Sequence, residues 1–289
     1  MAILVDRDTR LVVQGLTGKE GRFHGLRNRA YGTAVVAGVT PGKGGQEVDG
    51  IPVFGTVADA VAVAGANTSL LFVPAPAAAD AVYEAVDAGI ATVVCISEFV
   101  PVRDTLALAA YARMRGATLI GPNCPGVLSP GRSNVGIIPA ALFAAGPVGL
   151  VSRSGTLTYE IGRSLAELGI GNSTIVWIGG DPVVGSSFIE ILDRFEADPE
   201  TELVVLVGEI GGEEEERAAR HVAEACSKPV LAYLAGFSAP PGKRMGHAGA
   251  IISGGAGTAQ AKRRALEEAG IAVGTTPTEL ARLVAERAR

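Results

Sequence analysis

The residue with the most distinctive chemical setting is His247, one of three histidines in the sequence. It stands in PPGKRMGHAGAII, a stretch too rich in glycine and polar residues for a protein core, directly after the apolar run PVLAYLA. A neutral imidazole is nucleophilic near physiological pH, and the neighbouring cations Lys243 and Arg244 would stabilise a dianionic phosphoryl group on it. The pattern predicts a histidine that transiently carries phosphate, although a polar loop histidine without chemistry also fits.

Glu209 is the residue that the order of apolar runs places beside His247. It ends the run in VVLVGEIGG, and the run before His247 is the next one along the chain. Since parallel strands end at the same edge of a sheet, the two side chains are expected to meet there. A carboxylate that accepts one ring N–H would fix the tautomer and leave the other nitrogen as the nucleophile.

A serine and glycine turn in GLVSRSGTLTYE supplies a possible phosphate site. Ser154 can cap the helix that follows, with the N–H groups of Gly155 and Thr156 facing outward. Structural capping explains Ser154 equally well. The stretch does not match the GxSxG pattern of serine hydrolases, so that chemistry is not indicated.

A second glycine turn, QGLTGKEGRFH, follows the first apolar run and precedes a predicted helix. Its backbone N–H groups could hold a diphosphate, although a merely tight turn also fits the spacing of Gly15, Gly18 and Gly21. The end of the second run, VTPGKGGQ, lacks the acidic residue that binds the ribose of NAD. Lys43 stands there instead and suits a phosphorylated ribose such as that of CoA, unless it is a solvated loop lysine.

Short apolar runs alternate with helical patterns, which predicts an α/β protein with two doubly wound sheets. The first series of runs is 11–14, 34–39, 69–73, 91–96 and 118–120, and the second is 148–152, 173–178, 202–208 and 229–235. A proline-rich stretch without periodicity separates the two series. We therefore expect an N-terminal Rossmann-like domain over 1–122, an irregular connection over 123–146 and a C-terminal flavodoxin-like domain over 147–289.

The composition excludes several classes of protein. A net charge of −5 offers no general attraction to nucleic acid or to an anionic membrane. No apolar run approaches the length that spans a bilayer, and the N-terminus becomes charged at Asp6, so a cytoplasmic protein is expected. The three cysteines lack CxxC spacing, so neither disulfides nor a metal site is expected.

Taken together, the sequence resembles the α subunits of succinyl-CoA synthetase, also called succinate–CoA ligase. The resemblance covers nearly the whole chain in order. It rests on the blocks QGLTGKEGRFH, GVTPGKGG, VPAP, GPNCPG, VSRSGTLTYE, IGGDPVVGSSF, GEIGG and GKRMGHAGAII.

The resemblance implies a role for each matching residue. His247 would be the phosphohistidine, Glu209 would orient it, Ser154 and Gly155 would hold phosphate, and Tyr159 would contact the acid substrate. The residues implied to contact CoA are Thr17, Gly18, Lys19, Glu20, Lys43, Ile96, Ser97 and Glu98. Two departures are small: the variable turn after Thr17 reads GKE, which favours backbone over side-chain contacts there, and Ser97 stands where the family often has threonine.

The resemblance also implies a partner. The family places the nucleotide site on a separate ATP-grasp β subunit, and this sequence contains no P-loop. We therefore expect an αβ or α2β2 assembly, with Mg²⁺ and ADP or GDP on the β subunit. CoA, phosphate and succinate or a similar dicarboxylate are the expected substrates.

Three alternatives stay open at this point. A related ligase for another dicarboxylate, such as malate, would share most of these motifs. A non-catalytic CoA-binding protein would need the first domain alone and would leave His247 without a purpose. The missing acidic residue after the second run counts against an NAD-dependent dehydrogenase.

Overall fold

A computed structural model of the chain describes residues 2–237, 246–252 and 257–288. The chain divides into two compact units. The N-terminal unit comprises Leu4–Ala140 and Val183–Ser186, and the C-terminal unit comprises Met1–Ile3, Ala141–Pro182 and Ser187–Arg289. No helix among the described residues is long and apolar enough to span a bilayer.

The N-terminal unit is built on a mainly parallel sheet with the order β3-β4-β2-β1-β5-β6-β7. Its strands are β1 Arg10–Gln14, β2 Ala34–Val39, β3 Glu47–Val48, β4 Ile51–Phe54, β5 Thr68–Leu71, β6 Thr92–Cys95 and β7 Thr118–Ile120. Its helices are α1 Lys19–Tyr31, α2 Val57–Ala64, α3 Ala75–Asp87 and α4 Val102–Met114. Only β3 and β4 pair antiparallel in this sheet. The six parallel strands follow the Rossmann order 3-2-1-4-5-6, as predicted.

The C-terminal unit contains five parallel strands in the order β14-β13-β12-β10-β11. These are β10 Ala145–Ser152, β11 Asn172–Trp177, β12 Leu203–Glu209, β13 Val230–Ala235 and β14 Ala272–Gly274. The helices are α5 Gly155–Glu167, α6 Phe188–Ala197, α7 Glu214–Ala225, α8 Ala259–Glu268 and α9 Pro277–Arg287. Numbered from β10, the order is the flavodoxin order 2-1-3-4-5, which confirms the expected class.

The stretch 123–146, expected to be irregular, contains a β-hairpin. Strands β8 Gly126–Ser129 and β9 Ser133–Gly136 pair antiparallel and are fully buried. The hairpin is tied to the end of α1, because Thr33 Oγ1 accepts from the backbone N–H of Asn134 at 2.8 Å. Its prolines lie in the flanking turns, where the missing N–H costs no ladder hydrogen bond. The stretch up to Ala140 therefore belongs to the N-terminal unit.

Apolar residues at helical spacing are buried in α6 but exposed in part of α4. In α6, the four apolar residues at helical spacing are buried: Phe188, Ile191, Leu192 and Phe195. In α4, by contrast, Leu106, Ala110 and Met114, which are spaced four residues apart, face outward, with Leu106 56% and Met114 73% exposed. Leu108 and Ala112 pack inward instead. The helix is alanine-rich, so a four-residue spacing of apolar residues occurs on both of its faces.

Candidate active site

His247 and Glu209 form a direct hydrogen bond in the C-terminal unit. Nδ1 of the imidazole lies 2.7 Å from Oε2 of the carboxylate. Glu209 is the last residue of β12 and its side chain is 7% exposed, whereas that of His247 is 32% exposed. A carboxylate accepts and does not donate, so Nδ1 carries the proton of this bond. The other ring nitrogen, Nε2, is left for chemistry.

The surroundings of His247 raise its pKa. The hydrogen bond from Nδ1 to Glu209 is the largest cause, partial burial acts in the opposite direction, and the charge of Glu209 raises the pKa further. The charge of Arg153 lowers the pKa and that of Asp181 raises it. The ring is therefore more basic than an exposed histidine, which favours attack by its neutral form on phosphorus.

Arg153 completes the site from the end of β10. Its Nε lies 3.5 Å from Oε1 of Glu209, and its side chain is 6% exposed. Its Nη2 donates to the backbone carbonyl oxygen of Asp181 at 2.6 Å. The sequence analysis missed Arg153 as a site residue, although it stands next to Ser154 inside the block VSRSGTLTYE. A buried arginine is a strong point for recognising an anion such as phosphate.

Gly180 lies directly against the histidine ring. A Cβ atom at this position would stand 2.5 Å from Cγ of His247. The carbonyl oxygen of Gly180 also accepts from the N–H of Gly249 at 3.2 Å, two residues after the histidine. Glycine is therefore required at position 180 for the ring to occupy its place.

An open cavity of about 380 Å³ adjoins this group. It is lined by Arg153, Pro182, Gly211, Gly212, Glu213, Glu214, Ala248, Gly249 and Ile251. A phosphate or a carboxylate fits such a volume, and Arg153 supplies the positive charge. Lys243 and Arg244, which the sequence analysis placed beside the histidine, lie outside the described residues.

Ser154, Gly155 and Tyr159 lie at the start of α5. Ser154 is buried and caps the helix, since its Oγ accepts from the N–H of Leu157 at 3.4 Å. Gly155 is the first residue of α5 and is half-buried. Tyr159 is half-buried in an aromatic cluster, with ring centroids 5.9 Å from Trp177. Among the described residues, these three do not line the cavity beside Arg153.

The glycine turn of the N-terminal unit adopts the expected form after β1. Gly15 has φ +84°, and a Cβ there would stand 2.6 Å from the carbonyl oxygen of Phe72. A Cβ at Gly21 would stand 2.2 Å from the carbonyl oxygen of Gly15. Helix α1 thus starts immediately against the turn, and its N-terminal N–H groups favour an anion.

A larger cavity of about 640 Å³ opens at this turn. It lies where β1 stands between β2 and β5, the point at which the strand order reverses and α/β sheets bind ligands. Its walls are formed by Gln14, Gly15, Thr17, Gly18, Val39, Thr40, Pro41, Phe72, Val73, Pro74, Ala77, Asp80, Ala81 and Glu84. The sequence analysis did not single out Asp80 and Glu84, which lie on α3.

The predicted CoA residues reach this cavity to different degrees. Thr17 and Gly18 line it, and Nζ of Lys43 donates to Thr17 Oγ1 at 3.2 Å. Ser97 donates from Oγ to the carbonyl oxygen of Val73, a lining residue, at 2.5 Å. The remaining four are not among the lining residues, and three of them, Lys19, Glu20 and Glu98, are exposed. Ile96 is half-buried beside Ser97.

The other two histidines, His24 and His221, are not part of the His247 site. His221 Nε2 is 2.6 Å from Oδ1 of Asp193 on the outer side of two helices. His24 stacks on Phe72 at 5.5 Å, and burial, followed by the charge of Arg27, lowers its pKa. Among the described residues, no group of three or more His, Cys, Asp or Glu side chains could hold a metal ion.

Two family models match the chain, one in each unit. Residues 6–99 match the family described as CoA binding domain, and residues 151–272 match the family described as CoA-ligase. The fold and the site thus define a CoA-binding protein of the CoA-ligase class. The curated relatives described next are all succinate–CoA ligase α subunits, so the chain belongs to that family.

The curated relatives agree over the whole chain. The chain is 60% identical to succinate–CoA ligase (ADP-forming) subunit alpha 2 of Archaeoglobus fulgidus over 286 residues, with 99% of each chain covered. It is 58% identical to the ADP-forming subunit alpha of Aquifex aeolicus, covering 99% of this chain and 94% of the relative. The subunit alpha of Staphylococcus epidermidis is 50% identical, with 100% and 96% covered. The resemblance drawn from the sequence is therefore confirmed.

Two solved structures with the same fold belong to longer proteins. ATP citrate lyase from Methanothrix soehngenii, in complex with citrate and coenzyme A, has a TM-score of 0.89 at 26% identity, covering 99% of this chain and 52% of that one. This chain therefore spans about half of that lyase. The dinucleotide-forming acetyl-coenzyme A synthetase 1 of Ca. Korarchaeum cryptofilum has a TM-score of 0.72 at 22% identity, with 93% and 58% covered, and shares the fold.

Proposed function

We propose that the chain is the CoA-binding, histidine-phosphorylated α subunit of a succinate–CoA ligase. The observation that carries the proposal is the hydrogen bond of 2.7 Å between His247 Nδ1 and Glu209, set beside a cavity that Arg153 lines. Family membership supplies the reaction, and the site supplies a nucleophile, an orienting carboxylate and a cation for phosphate.

The proposed reaction has three reversible steps. Phosphate attacks the carbonyl carbon of succinyl-CoA, the carbon–sulfur bond breaks, and CoA leaves with succinyl phosphate as the product. Nε2 of His247 then attacks phosphorus, and the phosphorus–oxygen bond to succinate breaks. The phosphohistidine finally gives its phosphoryl group to a nucleoside diphosphate, which restores the neutral ring.

Several residues of this chain are proposed to assist the transfer of the phosphoryl group to His247. Glu209 holds the Nδ1 proton and so stabilises the positive charge that develops on the ring when Nε2 forms its bond to phosphorus. Arg153 places a guanidinium next to the cavity, where it neutralises phosphate oxygens. Ser154 and Gly155 are proposed to add the helix N-terminus of α5 to this phosphate site, and Tyr159 to contact the acid substrate.

CoA is proposed to bind at the glycine turn of the N-terminal unit. The N–H groups of Thr17, Lys19 and Glu20 suit its diphosphate, because they lie at the start of helix α1, whereas the N–H of Gly18 donates to the carbonyl oxygen of Gly15. Lys43, held near the turn by Thr17, is proposed to bind the 3′-phosphate. Ile96, Ser97 and Glu98 follow β6 at the same edge of the sheet and are proposed to contact the rest of the molecule.

The name that the relatives carry, subunit alpha, implies a β-subunit partner. We further propose that this partner is an ATP-grasp chain that holds Mg²⁺ and ADP or GDP, in an αβ or α2β2 assembly in the cytoplasm. The phosphohistidine would pass its phosphoryl group to the nucleotide on that chain.

A related ligase for another dicarboxylate, such as malate, is the alternative within the same mechanism. Its distinguishing test is an assay of the purified complex with several acids and with both ADP and GDP. Fastest CoA thioester formation with succinate supports the proposal, and faster turnover of malate assigns the chain to the alternative. A complex that binds CoA and forms no thioester from any acid would instead fit a non-catalytic CoA-binding protein.

A further inference from the structure

Lys262 on α8 is a fully buried cation behind the histidine site. Its side chain is 0% exposed, and so is that of Glu215, with which it forms an ion pair. Nζ also lies 3.0 Å from Oε2 of Glu216 and donates to the carbonyl oxygen of Gly212 at 3.1 Å. A buried ammonium is tolerated only when its donors are used in this way. All three partners lie between β12 and the first turn of α7.

Glu215 connects this cation to Glu209. Its Oε1 accepts from the backbone N–H of Glu209 at 3.0 Å, so one carboxylate is shared between the end of β12 and Lys262. The fit is close, since a Cβ at Gly208 would stand 2.6 Å from Cγ of Glu215. Glu215 therefore fixes the backbone of Glu209, whose carboxylate binds His247. Lys262 in turn fixes the Glu215 side chain.

The same turn of α8 also contacts the segment that carries His247. Ala259 lies in a buried apolar cluster with Ile210, Ala250 and Ile252. The loop after Glu209 packs directly on that segment, because a Cβ at Gly211 would stand 2.2 Å from the carbonyl oxygen of Gly249. Ala259 and Lys262 are three residues apart and share a helix face. This face of α8 therefore contacts the segment that carries His247 and also the carboxylate that binds the Glu209 backbone.

We propose that Lys262 is a positioning residue for the His247–Glu209 pair, acting through Glu215 on the Glu209 backbone and through Gly212 on the loop beneath the histidine segment. The inference rests on the proposed function, because it assigns a residue to the same phosphoryl-transfer site. A buried ion triad contributes little net stability compared with apolar side chains of equal volume. The triad of Lys262, Glu215 and Glu216 is therefore better explained by its effect on the orientation of Glu209 than by a contribution to stability.

The test compares Lys262→Met with the charge-balanced pair Lys262→Met/Glu215→Gln. The single variant leaves two carboxylates without their cation and is expected to lower Tm. The double variant removes one charge of each sign, keeps an oxygen for the Glu209 N–H and leaves the partly exposed Glu216 as the one carboxylate without its cation, so it is expected to fold. Arg263→Met is the matched control, because Arg263 lies on the same helix and forms a solvent-exposed ion pair with Glu267 at 2.7 Å.

Two readouts separate positioning from folding. Titration of His247 by NMR in the full chain should show its pKa falling towards the ordinary value of 6.5 in the double variant, since the bond to Glu209 is weakened. Single-turnover phosphorylation of the complex with its β subunit should slow about tenfold or more, as for other residues behind a reacting group. CoA affinity should be unchanged, because CoA is proposed to bind the other unit.

A folded double variant with the wild-type His247 pKa and phosphorylation rate would overturn the role of Lys262. The same holds if Arg263→Met slows phosphorylation as much as the double variant. If wild-type His247 accepts no phosphate, the proposed function fails instead. The NMR titration does not depend on phosphorylation, so it still decides whether Lys262 positions the pair.

Discussion

Arg153 and His247 contact the two oxygens of one carboxylate. Nε of Arg153 lies 3.5 Å from Oε1 of Glu209, and Nδ1 of His247 lies 2.7 Å from Oε2. The two contacts act oppositely on the histidine, because the carboxylate raises its pKa and the guanidinium lowers it. The site therefore sets the basicity of His247 by a balance of charges, and each member of the balance can be changed separately.

Glu209→Gln should slow phosphorylation about 10- to 100-fold and move its pH profile to lower pH. The rate falls on acidification as Nε2 takes up a proton, and this limb follows the raised pKa of His247 in the wild type. Glutamine removes the charge and the strongest acceptor, so the limb should shift down. Single-turnover labelling from pH 5 to 9, at about half-unit steps, measures it. If the acid limb of the pH profile does not shift, Glu209 does not set the pKa of His247.

Arg153→Met should move the same acid limb in the opposite direction. The positive charge of Arg153 lowers the pKa of His247, so its loss raises that pKa further. Phosphate affinity should fall as well, because the cavity loses its buried cation. Arg153→Lys keeps the charge and serves as the control for the limb. A lower limb in the methionine variant, with Tm retained, would contradict this account of the charge balance.

Gly180→Ala should remove most phosphorylation and leave CoA binding intact. The new methyl group would stand 2.5 Å from the histidine ring, so the ring must move away from Glu209. Phosphorylation is expected to slow about 100-fold, the size of effect that a misplaced reacting group produces. Gly55→Ala is the control, since a Cβ there meets nothing within 4 Å. Phosphorylation at the wild-type rate would show that the ring position observed here is not the reactive one.

Lys43→Ala should weaken CoA about tenfold and leave dephospho-CoA almost unchanged. A lysine that binds the 3′-phosphate makes a charge-assisted hydrogen bond that dephospho-CoA lacks. Calorimetric titration of both ligands measures the difference, with Arg103→Ala as a control for an exposed charge on α4. Equal weakening of the two ligands would mean that Lys43 does not read the 3′-phosphate.

Much of the fold was predictable because the parallel strands are short apolar runs. Strand β2 and strand β7 begin and end where the sequence analysis placed them. Strands β3, β4 and β14 were missed: β3 has only two residues, β4 is interrupted by Pro52, and the three residues of β14 include Gly274. Runs so short carry no periodicity, and their pairing depends on neighbours that the sequence does not reveal.

The site was predictable to the extent that it depends on strand ends. Glu209 ends β12 and His247 follows the neighbouring strand β13, so their meeting could be inferred from the order of elements. The contacts of Arg153 and Lys262 depend on side chains that reach across the unit, and Gly180 depends on how closely the backbone approaches the ring. Such contacts arise from packing and leave no periodic signal in the sequence.

The central claim is that His247 carries the phosphoryl group, and direct labelling tests it. The complex of the chain with its β subunit, incubated with Mg²⁺ and γ-labelled ATP, should take up phosphate that is labile in acid and stable in base. Mass spectrometry should place it on His247, and succinate with CoA should discharge it. Labelling of a folded His247→Ala variant to the wild-type extent would contradict the account.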